Sequence, residues 1–168
     1  DTDIYNLEID NTPPNTNTLQ FNGQNSLWAN VNDSINFTVQ ADDADLTSGT
    51  VQNVTITSNN TQTQETLTNT GGDTYSVETT PNNLGCENNG NCTLTVIALD
   101  EANNTNTTNN TLFVDSQNPS IESSTVNDTY VQTDTQLLTT INATDNVQID
   151  TLLANNEQLT NISQTTWQ

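Results

Sequence analysis

The chain has 168 residues, among them 21 Asp and Glu and no Lys, Arg or His, so its formal charge of −21 has no internal counter-charge. Side-chain salt bridges within the chain are excluded, and nucleic acid and anionic lipid head groups are excluded as direct partners, because phosphate contact requires Lys or Arg. No run of 18 apolar residues occurs, so neither a transmembrane helix nor direct membrane insertion is expected.

A surface of one sign repels itself unless salt or bound cations screen it, which points to a saline or calcium-containing medium outside a cell. The absence of Lys and Arg also denies trypsin any cleavage site, a useful property in such a setting. The length suits one full domain and a remainder. Asn and Thr supply 64 residues, Thr favouring strands and Asn favouring turns. Eleven N-x-S/T triplets follow, at Asn32, Asn36, Asn53, Asn59, Asn91, Asn103, Asn106, Asn109, Asn127, Asn142 and Asn161. N-linked glycans are expected on several of them, above all at Asn106 and Asn109, which flank a predicted exposed turn.

In chain order, residues 4–9 (IYNLEI) alternate like a strand, and residues 1–10 read as the last strand of a preceding or neighbouring unit. Residues 11–116 read as a complete seven-strand β-sandwich, with strands predicted over 18–21, 34–41, 51–58, 63–68, 74–80, 93–100 and 107–114. Alternation places Ile35, Phe37, Val39, Ala41, Val54, Ile56, Tyr75, Val77, Leu94, Val96, Ala98, Leu112 and Val114 on the inner faces. Cys86 and Cys92 stand alone in the Asn- and Gly-rich LGCENNGNCTL. With no His and no further Cys a zinc site lacks ligands, so a disulfide closing this small loop is predicted, again in an exported protein. The stretch LFVDSQNPS then repeats an earlier junction, Asp115 matching Asp10 and Pro119 matching Pro14, at an interval of 105 residues. Residues 117–168 begin a second copy: QLLTTINATDN parallels INFTVQADDAD, LLANNEQ parallels TITSNNT, and about three strands are predicted there. The two ends predict a piece of a longer tandem chain, in preference to strand donation from residues 4–9 of one copy into the half-domain of another.

ALDEANNTNTT followed by VDSQNPSI resembles the end of the tandem immunoglobulin-like domains of archaeal and bacterial surface-layer, filament and adhesin proteins, and INATDNVQIDTLLANN resembles the start of the next. That family usually has Gly in the turn where this chain has Asn103 and Asn104. The resemblance implies an all-β, immunoglobulin-like sandwich and a structural or adhesive role outside the cell, as surface array, stalk or filament.

Without His or Lys a Ser or Cys nucleophile has no ordinary base, and the acidic residues fall in turns without the aromatic lining of a sugar cleft, so an enzyme is not expected. Calcium is the candidate cofactor, since hard cations take six to eight oxygen ligands. Its candidate ligands are Asp42, Asp43 and Asp45, then Asp100, Glu101 and Asn103, then Asp115 and Asn118 in the hinge, with Asp145 beyond. Trp28 and Trp167 read as packing residues. If Leu94, Val96 and Ala98 point inward, Ile97 and Leu99 point outward, and with Phe113 on the neighbouring strand they form an expected apolar contact surface. The whole reads as an extracellular, glycosylated subunit that assembles with copies of itself as a surface layer or filament. The alternative is a stalk or ligand-binding module of a cell-surface adhesin.

Overall fold

The computed structural model describes residues 9–43, 50–61, 63–130, 132–133, 137–163 and 165–167. These residues form β-strands and no helix, in two compact units that meet between Ser116 and Gln117. Of the strand predicted over residues 4–9, all but Ile9 lies outside the described residues, as does the candidate ligand Asp45.

The first unit is one curled nine-stranded sheet folded over its own core as a β-sandwich. One layer carries β1 (Asn15–Thr16), β2 (Gln20–Phe21), β4 (Ile35–Asp42) and β7 (Thr74–Thr79), and the other carries β5 (Val51–Ser58), β8 (Asn89–Asp100), β9 (Thr105–Asp115) and β3 (Trp28–Ala29). β6 (Gln64–Gly71) joins them, pairing with β5 through Gln64 to Leu67 and with β7 from Thr68 onward. At the other edge the N-terminal segment makes the same change of layer, from β1 and β2 on β4 to β3, which runs parallel to β9. The N-terminal segment thus lies along both outer strands, pairing with β4 through β1 and β2 and with β9 at Phe113 and Val114, and short edge strands of this kind offer little template for unwanted pairing.

The core follows from strict alternation. On β4 the buried Ile35, Phe37, Val39 and Ala41 are separated by polar residues, and on β8 the buried Leu94, Val96 and Ala98 alternate with the outward Thr95 and Ile97. Val54, Ile56, Leu112 and Val114 close the opposite side, with Phe21 packed edge-on against Phe37 at 5.9 Å between ring centroids. β9 changes character along its length: its inward positions are apolar at Leu112 and Val114 but amide at Asn106 and Asn110. The Asn106 amide donates to the Pro14 carbonyl at 2.8 Å, and Asn110 donates to the carbonyls of Leu19 at 2.7 Å and Asn25 at 2.9 Å. These bonds satisfy main-chain oxygens of an N-terminal segment that runs largely outside the strand ladders.

Three features depart from the sequence reading. β8 starts at Asn89 and so takes Cys92 into the sheet, where a loop was expected. β1 and β3 were not anticipated, and the strand predicted over residues 18–21 is shortened to β2. The β8 to β9 turn accommodates Asn in the place of Gly because Asn103 adopts φ +70°, a conformation Asn tolerates better than other side chains.

The second unit has a three-stranded sheet of β10 (Ser120–Val126), β11 (Thr139–Thr144) and β14 (Thr166–Trp167), with a hairpin of β12 (Leu153–Ala154) and β13 (Glu157–Gln158) between β11 and β14 in the chain. Asn155 and Asn156 both have positive φ, as a two-residue hairpin turn requires. Five short strands thus stand where about three were expected. Their register repeats that of the first unit. Asn15 opposite Asp42 and Thr16 opposite Ala41 recur as Ser120 opposite Thr144 and Ile121 opposite Ala143. Gln20 opposite Thr38 and Phe21 opposite Phe37 recur as Thr125 opposite Thr140 and Val126 opposite Thr139. Val39 opposite Tyr75 recurs as Ile141 opposite Trp167, so β14 stands where β7 does. Among the described residues the second unit has no counterpart of β8 and β9.

Candidate functional site

Carboxylates converge at the end of β8. Asp100, the last residue of that strand, is fully buried, and its two oxygens accept from the Asn104 backbone N–H at 2.8 Å and the Asn104 side-chain amide at 3.0 Å. The same amide reaches the main-chain oxygens of Asp10 at 3.2 Å and Thr12 at 3.4 Å, which fastens the N-terminal segment over the strand end. Asp43 follows β4. Asp10, Asp43 and Asp100 each bring one carboxylate oxygen to within 4.8 Å of the other two. At an effective dielectric of about 20, two unit charges this close repel by roughly 3 kcal/mol. With no Lys, Arg or His in the chain, a cation from solution is the counter-charge this cluster can recruit. A hard cation suits it, since carboxylate and carbonyl oxygens are the donors present.

The sequence reading named Asp43 and Asp100 for this role and missed Asp10, which it assigned to a flanking strand. Asp10 instead belongs with the first unit through Asn104. The other candidates lie elsewhere. Asp42 points away from the cluster, since it alternates with the buried Ala41. The Glu101 carboxylate accepts from the Thr50 hydroxyl at 2.8 Å, and Asn103 is exposed in the turn. Asp115 ends β9 opposite Asn89, while Asn118 is exposed in the second unit. Asp145 accepts the backbone N–H of Gln148 at 3.2 Å, closing a local turn of the second unit.

The glycan acceptors separate by exposure. Asn32, Asn36, Asn53, Asn59, Asn91, Asn103, Asn109, Asn127 and Asn161 are exposed. Asn106 and Asn142 are half-buried, and the nitrogen that a glycan would occupy donates instead to the Pro14 carbonyl in the first and to the Ser123 hydroxyl at 3.0 Å in the second. Asn106 and Asn109 were expected together beside a turn. Both lie within β9, and an odd separation in a strand puts them on opposite faces.

The expected apolar contact surface is not contiguous. Ile97 and Leu99 do point outward, but they face Thr107 and Thr105, whereas Phe113 faces Asn91 near the far end of the same hairpin. At about 3.4 Å per residue that is some 20 Å away. All three are half-buried, and Phe113 is stacked on Trp28 with ring centroids 4.9 Å apart. Trp28 itself remains 54% exposed, so it is no core residue, whereas Trp167 is buried. Cys86 and Cys92 are bonded, with Cα atoms 5.5 Å apart. No helix among the described residues is long and apolar enough to cross a membrane, which with the disulfide is compatible with an extracellular protein. Comparisons of the chain with protein-family models, curated proteins and solved structures found no match.

Proposed function

We propose that the protein is an extracellular structural subunit, built from tandem immunoglobulin-like repeats, glycosylated, and assembled with copies of itself as a surface layer or filament. The observation that carries this reading is the register shared by the two units: one pairing scheme used twice in succession is the mark of a repeat architecture whose role is extension and contact. Three further observations support it. Nine acceptor triplets are exposed, the cysteines are paired, and the charge of −21 has no counterpart within the chain. The first unit pairs β4 with β7 in one layer and β5 with β8 and β9 in the other, an arrangement that suits the immunoglobulin-like reading.

Calcium belongs to this proposal as the ion that neutralises Asp10, Asp43 and Asp100. Held there, it would tie the incoming chain to the ends of β4 and β8, and so stiffen one repeat where the next would pull on it. Electron microscopy of the native material tests the assembly. A periodic array or fibre is expected. A monodisperse monomer that binds a glycan or protein ligand would favour the stalk or adhesin module instead.

A further inference from the structure

On three adjacent strands the outward side chains fall in one row: Asn91 of β8 faces Phe113 of β9, and Phe113 faces Trp28 of β3. Cys92, Leu112, Val114 and Ala29, the neighbours in sequence, are all buried, so the three named residues share the outer face. Side chains directly opposite on paired strands have Cβ atoms about 4.5–5.5 Å apart. Trp28 is, apart from Ile9, the exposed large hydrophobic side chain of the first unit among the described residues. Asn91 opens an N-C-T triplet whose Thr93 lies two residues on, on the same face. Other acceptors within the ladders face quite different side chains: Asn36 faces Glu78, Asn53 faces Leu99 and Asn109 faces Thr95.

We propose that an N-linked glycan on Asn91 lays its first sugar on the face of Phe113 that the stacked Trp28 leaves free, and over the outer edge of the Trp28 ring. The proposal rests on the glycoprotein reading above and adds to it a place and a packing partner for one sugar. The chemistry matches: the C–H face of a pyranose is apolar and slightly positive, and an aromatic face is apolar and slightly negative. The chain has no Lys or Arg to lay over Trp28 as a cation, so the cover it can provide for itself is neutral. Attachment next to the rings also keeps the sugar at high effective concentration there, so a weak contact suffices. The attached sugar thus takes the part of a packing residue on a stretch of the sheet face whose nearby side chains, Thr93, Thr95, Asn109 and Thr111, are polar.

The test uses the glycoprotein made in cells that glycosylate it, with Trp167→Phe so that Trp28 alone reports. Site-specific glycopeptide mass gives the occupancy of Asn91. Acrylamide quenching and emission wavelength give the cover of Trp28. Removing the sugar by Asn91→Gln, or by Thr93→Val with Asn91 left in place, is expected to raise the quenching constant about twofold and shift emission to the red, as for a ring released to water. In a Phe113→Thr background the sugar stays on Asn91 but its loss changes quenching little. An occupied Asn91 with quenching unmoved by either variant overturns the inference while leaving the glycoprotein reading intact. A bare Asn91 with sugar on other exposed acceptors does the same, and eleven bare sites overturn both. A bare Asn91 with Trp28 covered only in the assembled material assigns the rings to a second copy and overturns it too.

Discussion

Asn104 does the most of any single side chain at the acidic end of the first unit, since its amide and backbone N–H serve Asp100, Asp10 and Thr12 together. Replacing it by Ala keeps the backbone N–H but leaves one oxygen of the buried Asp100 carboxylate, and the carbonyls of Asp10 and Thr12, without the amide donor, and a loss of about 1–3 kcal/mol in denaturant unfolding is expected. Asp100→Asn behaves differently: it removes one of three like charges but sets an N–H against a donor of Asn104 where the carboxylate had an acceptor. With chelator present at low ionic strength the relieved repulsion and the lost hydrogen bond oppose each other, so the calcium response is the readout: added calcium should raise its melting temperature less than it raises that of the parent. Equal calcium shifts in both proteins would remove Asp100 from any cation site. The acceptor residues give a second prediction at this scale. Glycopeptide mapping should find Asn106 and Asn142 unmodified, because their amide nitrogens are already donating and half-buried. The digest needs a protease other than trypsin, since the chain has no Lys or Arg. Sugar on Asn106 would mean that the bond to Pro14 is not kept in the native protein.

At the scale of elements, the long strands were legible because each writes a period of two in large apolar residues, as Ile35, Phe37, Val39 and Ala41 do. β3 was not legible: two residues show no period, and a parallel pairing with β9 has no local signal. The position of Phe113 could have been worked out. A turn over residues 101–104 sets Leu99 against Thr105 and hence Asn91 against Phe113, so a contact with Ile97 was ruled out by counting alone. The role of Asp10 could not be counted out, since it depends on the N-terminal segment lying across the end of a strand 90 residues later in the chain. The turn before β8 supplies a third prediction. Gly85 has φ +74°, and a Cβ placed there would collide with the Thr61 side chain, whose hydroxyl donates to the Leu84 carbonyl at 3.2 Å. Leu84 is fully buried, so the collision cannot be relieved by letting the turn swing outward at no cost. Gly85→Ala should lower stability by about 1–3 kcal/mol in denaturant unfolding, and a neutral result would show that this turn is not held as described.

At the scale of the molecule, the repeated register lets one unit serve as the reference for the other. Val126 stands at the position of Phe21, and Ile121 at that of Thr16. Phe21 is fully buried because β8 and β9 bring Leu94, Val96, Leu112 and Val114 across from the facing layer. Val126, without counterparts of those strands, is 50% exposed, and Ile121, Leu138, Leu153 and Ile162 are exposed as well, while Ile141, Ala143 and Trp167 form a small core of their own. Each large apolar side chain moved from water into a packed interior contributes roughly 1.5–3 kcal/mol, so several left in water in so polar a protein amount to a strong drive toward contact. We therefore expect the inward face of the second unit, marked by Val126 and Ile121, to be covered in the native protein by further β-strands. Radical footprinting tests this without mutation. Labelling of Val126 and Ile121 should fall several-fold from the isolated 168-residue chain to the native material, whereas Ile97, already half-buried in its own sheet, should change little. Equal labelling of Val126 and Ile121 in both states would show that this face of the second unit takes no part in assembly, and the role assigned to the repeat would have to rest on some other surface.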